Sequence, residues 1–306
     1  MTDTNDEPDA PGGTAMLAGR PVARIGYGAM QLPGPGVWGP PADRDAALAV
    51  LRRVVELGVN HIDTAQYYGP DVANELIRAA LHPYPDDLVL VSKVGAERDA
   101  HGGWNAAQRP EQLRAGVEAN LRALDIERLG AVNLRLLDAD DGHDGHDGPG
   151  AVDLDSQLAE MAALRDEGKI GAIGISNVTI ADLRRALPIG LACVQNPYSV
   201  LDRSGEPLLQ LCRDHDVAWV PFFPLGSAFP GMPKVTEQPA VIAAAETLGA
   251  TPAQVGLAWL LQHDPHTLLI PGTSNLDHLA ENIATRDVEL DPDTIAALDD
   301  LAPPDA

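Results

Sequence analysis

The stretch DRDAALAVLRRVVELGVNHID, residues 43–63, combines the pattern of a helix with that of a strand. Its apolar residues recur every three or four positions, at Ala47, Leu48, Leu51, Val54 and Val55. That spacing places them on one face of an α-helix. Gly58 ends the predicted helix, and a short apolar run then leads to Asp63. The stretch therefore predicts an amphipathic helix followed by a buried strand.

This helix-strand unit recurs along the chain. Helical patterns precede strand patterns in four further places, at residues 110–137, 153–177, 206–223 and 251–274. Other apolar runs, at residues 24–28, 87–95 and 191–196, bring the predicted strands to eight. Eight alternating units are typical of a (β/α)8 barrel, or TIM barrel, in the α/β class.

A doubly wound sheet is the alternative fold for such an alternation. It favours the turn G-x-G-x-x-G after its first strand, but GYGAMQ at residues 26–31 lacks the third glycine. No clear linker interrupts residues 20–300. We therefore predict a single (β/α)8 barrel domain over residues 20–306, preceded by an acidic disordered segment at residues 1–19.

Composition excludes several classes of function. The formal net charge of −24, from 21 Lys and Arg against 45 Asp and Glu, disfavours nucleic acid as a partner, because phosphate binding needs a basic face. No apolar run approaches the roughly 20 residues that cross a bilayer. The acidic start also lacks the basic and apolar parts of a secretory signal, so we expect a soluble cytoplasmic protein. Cys193 and Cys212 are too far apart in sequence for a Cys-x-x-Cys redox pair and too few for a structural zinc site.

The stretch DADDGHDGHDGPG, residues 138–150, suggests a metal site because it carries two histidines and five aspartates. Gly142, however, falls one place before the turn glycine of a calcium loop, and no distant carboxylate closes the site. We therefore expect a flexible, solvated loop at the rim of the barrel and no metal.

Polar residues follow the predicted strands, where a barrel of this kind builds its chemistry. They are Asp63, Tyr67, Tyr68, Lys93, Arg135, Ser176, Asn177, Gln195 and Tyr198. A lysine at the end of an apolar strand needs a partner for its charge, and Asp63 on the neighbouring strand is suitably placed for Lys93.

A tyrosine within reach of Lys93 would be a proton donor usable near neutral pH. The cation favours the phenolate and lowers a pKa that starts near about 10. A proton donor of this kind is typical of general acid catalysis. For each of the three groups, taken alone, a structural role is favoured over a catalytic one.

Six ordered motifs resemble those of the aldo-keto reductases over roughly residues 20–300. They are HIDTAQYYG, VSK, GISN, QNPYS, FFPLGS and IPGTSNLDHLAEN. The resemblance implies a barrel enzyme that uses a nicotinamide dinucleotide without a Rossmann domain. Asp63, Tyr68 and Lys93 match the family's catalytic residues, which makes Tyr68 the acid, Lys93 the group that tunes it and Asp63 the partner of Lys93. Tyr67 is then a neighbour that shapes the pocket.

The resemblance also implies a cofactor site. Ser176, Asn177 and Gln195 match the residues that hydrogen-bond the nicotinamide carboxamide, and Tyr198 matches the aromatic that stacks on its ring. Residues of the pyrophosphate loop and the adenosine end match Leu225, Ser227, Gly272, Thr273, Ser274, His278, Glu281 and Asn282.

Two positions depart from the family pattern. His278 stands where many NADPH-dependent members have arginine against the 2′-phosphate, which leaves that phosphate to Thr273, Ser274 and a helix N-terminus. We still expect NADPH, with NADH less favoured. Arg135 replaces the histidine of most members, and a planar cation there either orients a carbonyl, binds an anionic substrate group or forms an ion pair.

A narrower resemblance concerns the substrate. GYGAMQLPGPGVWGPPADRDAA, AVNLR and VPFFPLG are similar to segments of the pyridoxal reductase group of the family, which also carries arginine at the fourth catalytic position. The resemblance implies reduction of pyridoxal to pyridoxine with NADPH. Met30, Trp38 and Trp104 are candidate substrate contacts, with ordinary packing as the alternative. Two competing functions stay open. The protein is either a reductase of another aldehyde or ketone, or a non-catalytic regulatory subunit that binds NADP(H).

Overall fold

Strands and helices alternate in the computed structural model, which describes residues 10–137, 152–226 and 233–302. The strands are Thr14–Leu17 (β1), Arg20–Ala23 (β2), Tyr27–Gly28 (β3), His61–Asp63 (β4), Val89–Arg98 (β5), Trp104–Ala107 (β6), Leu129–Arg135 (β7), Ile170–Ser176 (β8), Leu191–Gln195 (β9) and Ala218–Trp219 (β10). The helices are Arg44–Glu56 (α1), Val72–Leu81 (α2), Pro110–Leu124 (α3), Leu154–Asp166 (α4), Ile180–Ala186 (α5), Glu206–Asp214 (α6), Pro239–Leu248 (α7), Pro252–His263 (α8), Leu276–Ala284 (α9) and Pro292–Asp299 (α10).

Parallel strands form a curved sheet in the order β3-β4-β5-β7-β8-β9-β10. Residues 266–269 join its two edges, because Trp219 bridges to Thr267 and Ile25 bridges to Leu269. The amide of Leu268 donates to the Trp219 carbonyl, and that of Gly26 donates to the Leu269 carbonyl, each at 2.8 Å. This segment takes the place of the eighth strand, so the predicted (β/α)8 barrel is confirmed.

The β1-β2 hairpin closes the N-terminal end of the barrel. Leu17 and Val22 are buried there against Val89 and Leu268. The prediction that residues 1–19 are disordered is therefore wrong for the part that forms β1, since burying these apolar side chains stabilises an ordered hairpin. Residues 1–9, and the acidic loop at 138–150, lie outside the described residues.

The first helix follows the pattern that predicted it. The side chain of Asp43 caps α1 by accepting from the amide of Ala46 at 2.9 Å. Leu51 and Val54 on its apolar face are fully buried, whereas Val55 is half-buried. Within the described ranges, each helix is too short or too polar to cross a membrane.

Candidate active site

The C-terminal ends of five neighbouring strands bring predicted site residues together. The strand register places Arg135 opposite Ser176 and Ser176 opposite Gln195. Asp63 ends β4, and Lys93 lies within the longer β5. Because alternate residues of a strand face the same side, these side chains share the inside of the barrel near its mouth.

Asp63 and Lys93 form a buried ion pair. The ammonium of Lys93 donates to Oδ1 of Asp63 and, at 3.2 Å, to the carbonyl oxygen of Thr64. Their side chains are only 4% and 6% exposed. Gln195 Nε2 donates to Oδ2 of Asp63 at 2.8 Å. Both carboxylate oxygens are thus hydrogen-bonded, which is what a buried charge requires.

Tyr68 lies over this pair, with the Lys93 ammonium 5.1 Å from the centroid of its ring. Burial raises the pKa of Tyr68 above its ordinary value, the Asp63 carboxylate raises it further and the Arg135 cation opposes them. The predicted lowering of this pKa is therefore not found, because burial, followed by the Asp63 carboxylate, outweighs the effect of the neighbouring cation. A raised pKa keeps Tyr68 protonated at neutral pH, as a proton donor must be.

Aromatic side chains stand beside Tyr68 at the mouth. Tyr67 meets the ring of Tyr68 edge-on at 5.5 Å and that of Trp104 at 5.4 Å. Trp38 bridges to Gly69, directly after Tyr68. The structure thus places Trp38 and Trp104 near the predicted donor, whereas Met30 is half-buried against the core.

Arg98 lies between Trp38 and Trp104, and nothing in the sequence pattern singled it out. Its guanidinium lies 4.1 Å from the Trp104 ring and 5.3 Å from the Trp38 ring. It also donates to the carbonyl oxygens of Val37 at 3.1 Å and Gly102 at 2.8 Å. The only sequence signal is an arginine at the end of a long apolar strand.

Arg135 occupies the fourth position of the predicted catalytic set. Its Nη1 donates to the hydroxyl of Ser176 at 3.1 Å, and its guanidinium lies 5.0 Å from the ring centroid of Phe222. Among the residues that the structure describes, no carboxylate lies within ion-pair distance of Arg135. The predicted alternative of an ion pair at the mouth is therefore not present in the described part of the chain.

The residues predicted to hold a nicotinamide carboxamide fit that group. Gln195 is 1% exposed, and its Oε1 is buried without a hydrogen-bond partner in the described structure. A buried acceptor of this kind suits an N–H donor. Asn177, directly after Ser176 at the end of β8, is in the left-handed conformation, with φ of 60°, and donates from Nδ2 to the Leu136 carbonyl oxygen at 2.9 Å.

The predicted adenosine end surrounds the start of α9. Asn275 caps this helix by accepting from the amides of Asp277 at 2.7 Å and His278 at 3.2 Å. Two amides expected to face a phosphate are thus already satisfied. Ser274 and His278 are exposed, while Gly272, Thr273, Glu281 and Asn282 lie partly or largely buried around them. Leu225 is half-buried, and Ser227 lies outside the described residues.

A family model described as "Aldo/keto reductase family" matches residues 24–303. Pyridoxine 4-dehydrogenase of Escherichia coli (strain K12) is 43% identical over 290 residues, which cover 94% of this chain and 98% of that protein. The chain belongs to the aldo/keto reductase family. It is therefore an oxidoreductase, in a family that acts on small carbonyl compounds.

Two further comparisons agree with this assignment. "Uncharacterized oxidoreductase C215.11c" of Schizosaccharomyces pombe is 34% identical over 291 residues, covering 94% of this chain and 89% of that protein. The crystal structure of an aldo/keto reductase from Klebsiella pneumoniae, in complex with NADP and acetate, superposes with a TM-score of 0.77. It is 27% identical and covers 95% of both chains.

One predicted cofactor residue of this aldo/keto reductase does not reach the mouth. Tyr198 is 1% exposed and packs against Trp219 and Trp259. Its hydroxyl donates to Glu206 and lies 2.9 Å from Nε2 of His263. The prediction that Tyr198 stacks on the nicotinamide is therefore wrong, because its ring is enclosed between α6 and α8.

Phe222 is the aromatic that the sequence reasoning missed. It lies beside Arg135 at the mouth and meets Phe223 edge-on at 5.0 Å. Phe222 is part of the motif FFPLGS, but the resemblance matched the stacking aromatic to Tyr198 in QNPYS.

Among described residues, no cluster of His, Cys, Asp and Glu could hold a metal.

Proposed function

We propose that this aldo/keto reductase is an NADPH-dependent carbonyl reductase that converts pyridoxal to pyridoxine. The observation that carries the proposal is Tyr68, with its raised pKa, over the buried pair of Asp63 and Lys93. The printed name of the Escherichia coli relative, pyridoxine 4-dehydrogenase, supports the substrate. The complexes of Klebsiella pneumoniae relatives with NADP and NADPH support the cofactor.

NADPH, when bound, supplies the hydride that adds to the carbonyl carbon. Tyr68 donates its hydroxyl proton to the carbonyl oxygen as negative charge develops there. Lys93 then lies close to the phenolate that forms, and its charge stabilises that anion. Asp63 holds the ammonium in place through the ion pair and, with Gln195, keeps it from shifting.

The chain's own residues offer contacts to both ends of the cofactor. Gln195 would accept from the carboxamide through its unpartnered Oε1, with Asn177 beside it. Phe222, which lies beside Arg135 at the mouth, would take the place of Tyr198 as the aromatic against the nicotinamide ring. Ser274 and His278, both exposed at the start of α9, are the side chains that would meet a 2′-phosphate of NADPH.

The test is an assay of NADPH oxidation after pyridoxal is added, in which the loss of NADPH absorbance is measured. Tyr68→Phe should reduce kcat by about 10²-fold or more, as loss of a general acid does. Tyr84→Phe is the matched control, because the Tyr84 hydroxyl donates to the Leu124 carbonyl oxygen away from the mouth. NADH in place of NADPH measures cofactor preference in the same assay.

Other outcomes separate the competing functions. Turnover of a panel of aldehydes that leaves pyridoxal untouched would remove the substrate and keep the reductase. Tight NADPH binding without turnover of any carbonyl, unchanged by Tyr68→Phe, would indicate a regulatory subunit instead.

A further inference from the structure

We propose that Arg135 selects aldehydes with an anionic oxygen on the ring carbon next to the one that bears the carbonyl group. The substrate class would be the 2-hydroxyaryl aldehydes, to which pyridoxal belongs. The inference rests on the proposed function and deepens it, since it concerns how the same mouth chooses its substrate.

The position of Arg135 is the first argument. Lys93 pairs in register with Asn133, and Arg135 lies two residues further along the same strand. Side chains at alternate strand positions share one face, so Asn133 and Arg135 face the same side of β7. Arg135 therefore lies two residues nearer to the mouth than the level of Lys93. A substrate that enters the mouth meets the guanidinium before it reaches the ion pair.

The unneutralised charge of Arg135 is the second argument. Asp63 is bonded to Lys93 and Gln195. Among described residues, Arg135 makes only one hydrogen bond, to Ser176, although a guanidinium carries five N–H donors. The remaining donors, half-buried and covered on one side by Phe222, form a cationic fork suited to an oxygen anion.

The relation of Arg135 to the proton donor is the third argument. The Arg135 cation lowers the pKa of both Tyr67 and Tyr68 against the stronger effect of burial, so its field reaches the donor hydroxyl. In a 2-hydroxyaryl aldehyde the two substituents are neighbours on the ring, and rotation about the bond from the ring to the carbonyl carbon can bring the carbonyl oxygen to the same edge as the phenolic oxygen. One edge can then meet Tyr68 and Arg135 together, between the aromatic walls of Tyr67 and Trp104.

The test compares 2-hydroxybenzaldehyde with 4-hydroxybenzaldehyde, which contain the same atoms and differ only in where the phenolic oxygen lies. The measured quantity is the ratio of their kcat/KM values with NADPH. The ratio of their rates with borohydride gives the intrinsic reactivity. We expect the wild-type ratio to exceed that reference by roughly tenfold or more, the worth of a charge-assisted hydrogen bond.

Arg135→Gln should bring the ratio back to the borohydride value, because the amide keeps donors and loses the charge. Arg52→Gln, an exposed arginine on α1, is the matched control and should keep the wild-type ratio. A merely structural role for Arg135 would change both kcat/KM values together and leave their ratio unaltered. If thermal unfolding shows that Arg135→Gln does not fold, Arg135→Met, which keeps an unbranched side chain and removes the charge, replaces it.

Two results would overturn the inference while the proposed function stands. One is a wild-type ratio no higher than the borohydride ratio, which needs no variant. The other is a wild-type ratio that survives in Arg135→Gln or Arg135→Met. If no aldehyde oxidises NADPH, the proposed function fails, and this inference fails with it.

Discussion

Gln195 donates from Nε2 to Oδ2 of Asp63 at 2.8 Å while its own Oε1 is buried without a partner in the described structure. One amide thus joins the carboxylate of the ion pair to the expected position of the nicotinamide. Gln195→Leu removes both contacts. We expect kcat/KM with NADPH to fall by about 10-fold to 10²-fold, since a hydrogen bond to a charged group contributes about 1.5–3 kcal/mol.

The matched control for this prediction is Gln210→Leu, because Gln210 donates to Asp214 on the exposed surface of α6. Steady-state kinetics with a fixed aldehyde, and a fluorescence titration with NADPH, measure the two variants side by side. Equal behaviour of Gln195→Leu and Gln210→Leu would show that the Gln195 amide has no role in cofactor binding or turnover.

The buried ion pair predicts a non-additive effect on stability. Asp63→Asn leaves the Lys93 ammonium buried without its carboxylate, which should lower the free energy of unfolding by about 3–5 kcal/mol. The double variant Asp63→Asn with Lys93→Met should be less destabilised than the sum of the two single variants. Asp155→Asn, at an exposed pair with Arg185, is the control and should leave the unfolding midpoint in urea unchanged.

Tyr68 predicts a pH profile for reduction. Because burial and Asp63 raise its pKa, it keeps its proton as pH rises to the ordinary tyrosine value and beyond. The kcat/KM for benzaldehyde, which does not ionise, should therefore stay flat from about pH 6 to about pH 10. A decline centred below pH 9 that vanishes in the residual activity of Tyr68→Phe would contradict this reading of the site.

His61 predicts a pH dependence of stability. The residue is fully enclosed, and a Cβ at Gly26 would lie 2.1 Å from its Nε2. Burial lowers the pKa of His61 to about 4. In the unfolded chain His61 takes up a proton below about pH 6.5, whereas in the folded chain it does so only near pH 4. The stability that comes from keeping His61 neutral is therefore complete above about pH 6.5 and is lost as pH falls toward 4. The loss amounts to roughly 3 kcal/mol.

His61→Leu should flatten the change in unfolding free energy over that pH range, since no proton is then taken up at this position. Urea unfolding at several pH values measures it. His215→Gln, at an exposed histidine, should retain the wild-type slope. Identical slopes in His61→Leu and in the wild type would rule out His61 as the source.

Tyr198 and Phe222 predict opposite phenotypes. Tyr198→Phe removes the buried hydroxyl that donates to Glu206, so the free energy of unfolding should fall by about 1.5–3 kcal/mol while the Kd for NADPH stays within about twofold. Phe222→Leu should weaken NADPH binding with a smaller effect on stability, because Phe222 is only half-buried. Fluorescence titration and thermal unfolding give both quantities, and a reversed pattern would restore Tyr198 to the cofactor site.

The barrel was predictable because its causes are local. Residues 43–63 bury one helical face and one short strand, and the same pattern recurs until the sheet closes. Asp63, Lys93 and Arg135 could be collected for the same reason, since they follow apolar runs and parallel strands end on one side of a sheet. The hairpin at β1 was missed because its apolar residues are few and become buried only against the assembled barrel.

The sequence by itself determined the alternation of helices and strands, the family and the residue types at the strand ends, because these depend on periodicity and order along the chain. Only the tertiary structure decided which groups touch. It enclosed Tyr198, brought Phe222 to Arg135 and turned the Gln195 amide toward Asp63. It also reversed the expected direction of the Tyr68 pKa, because burial and charge depend on neighbours distant in sequence.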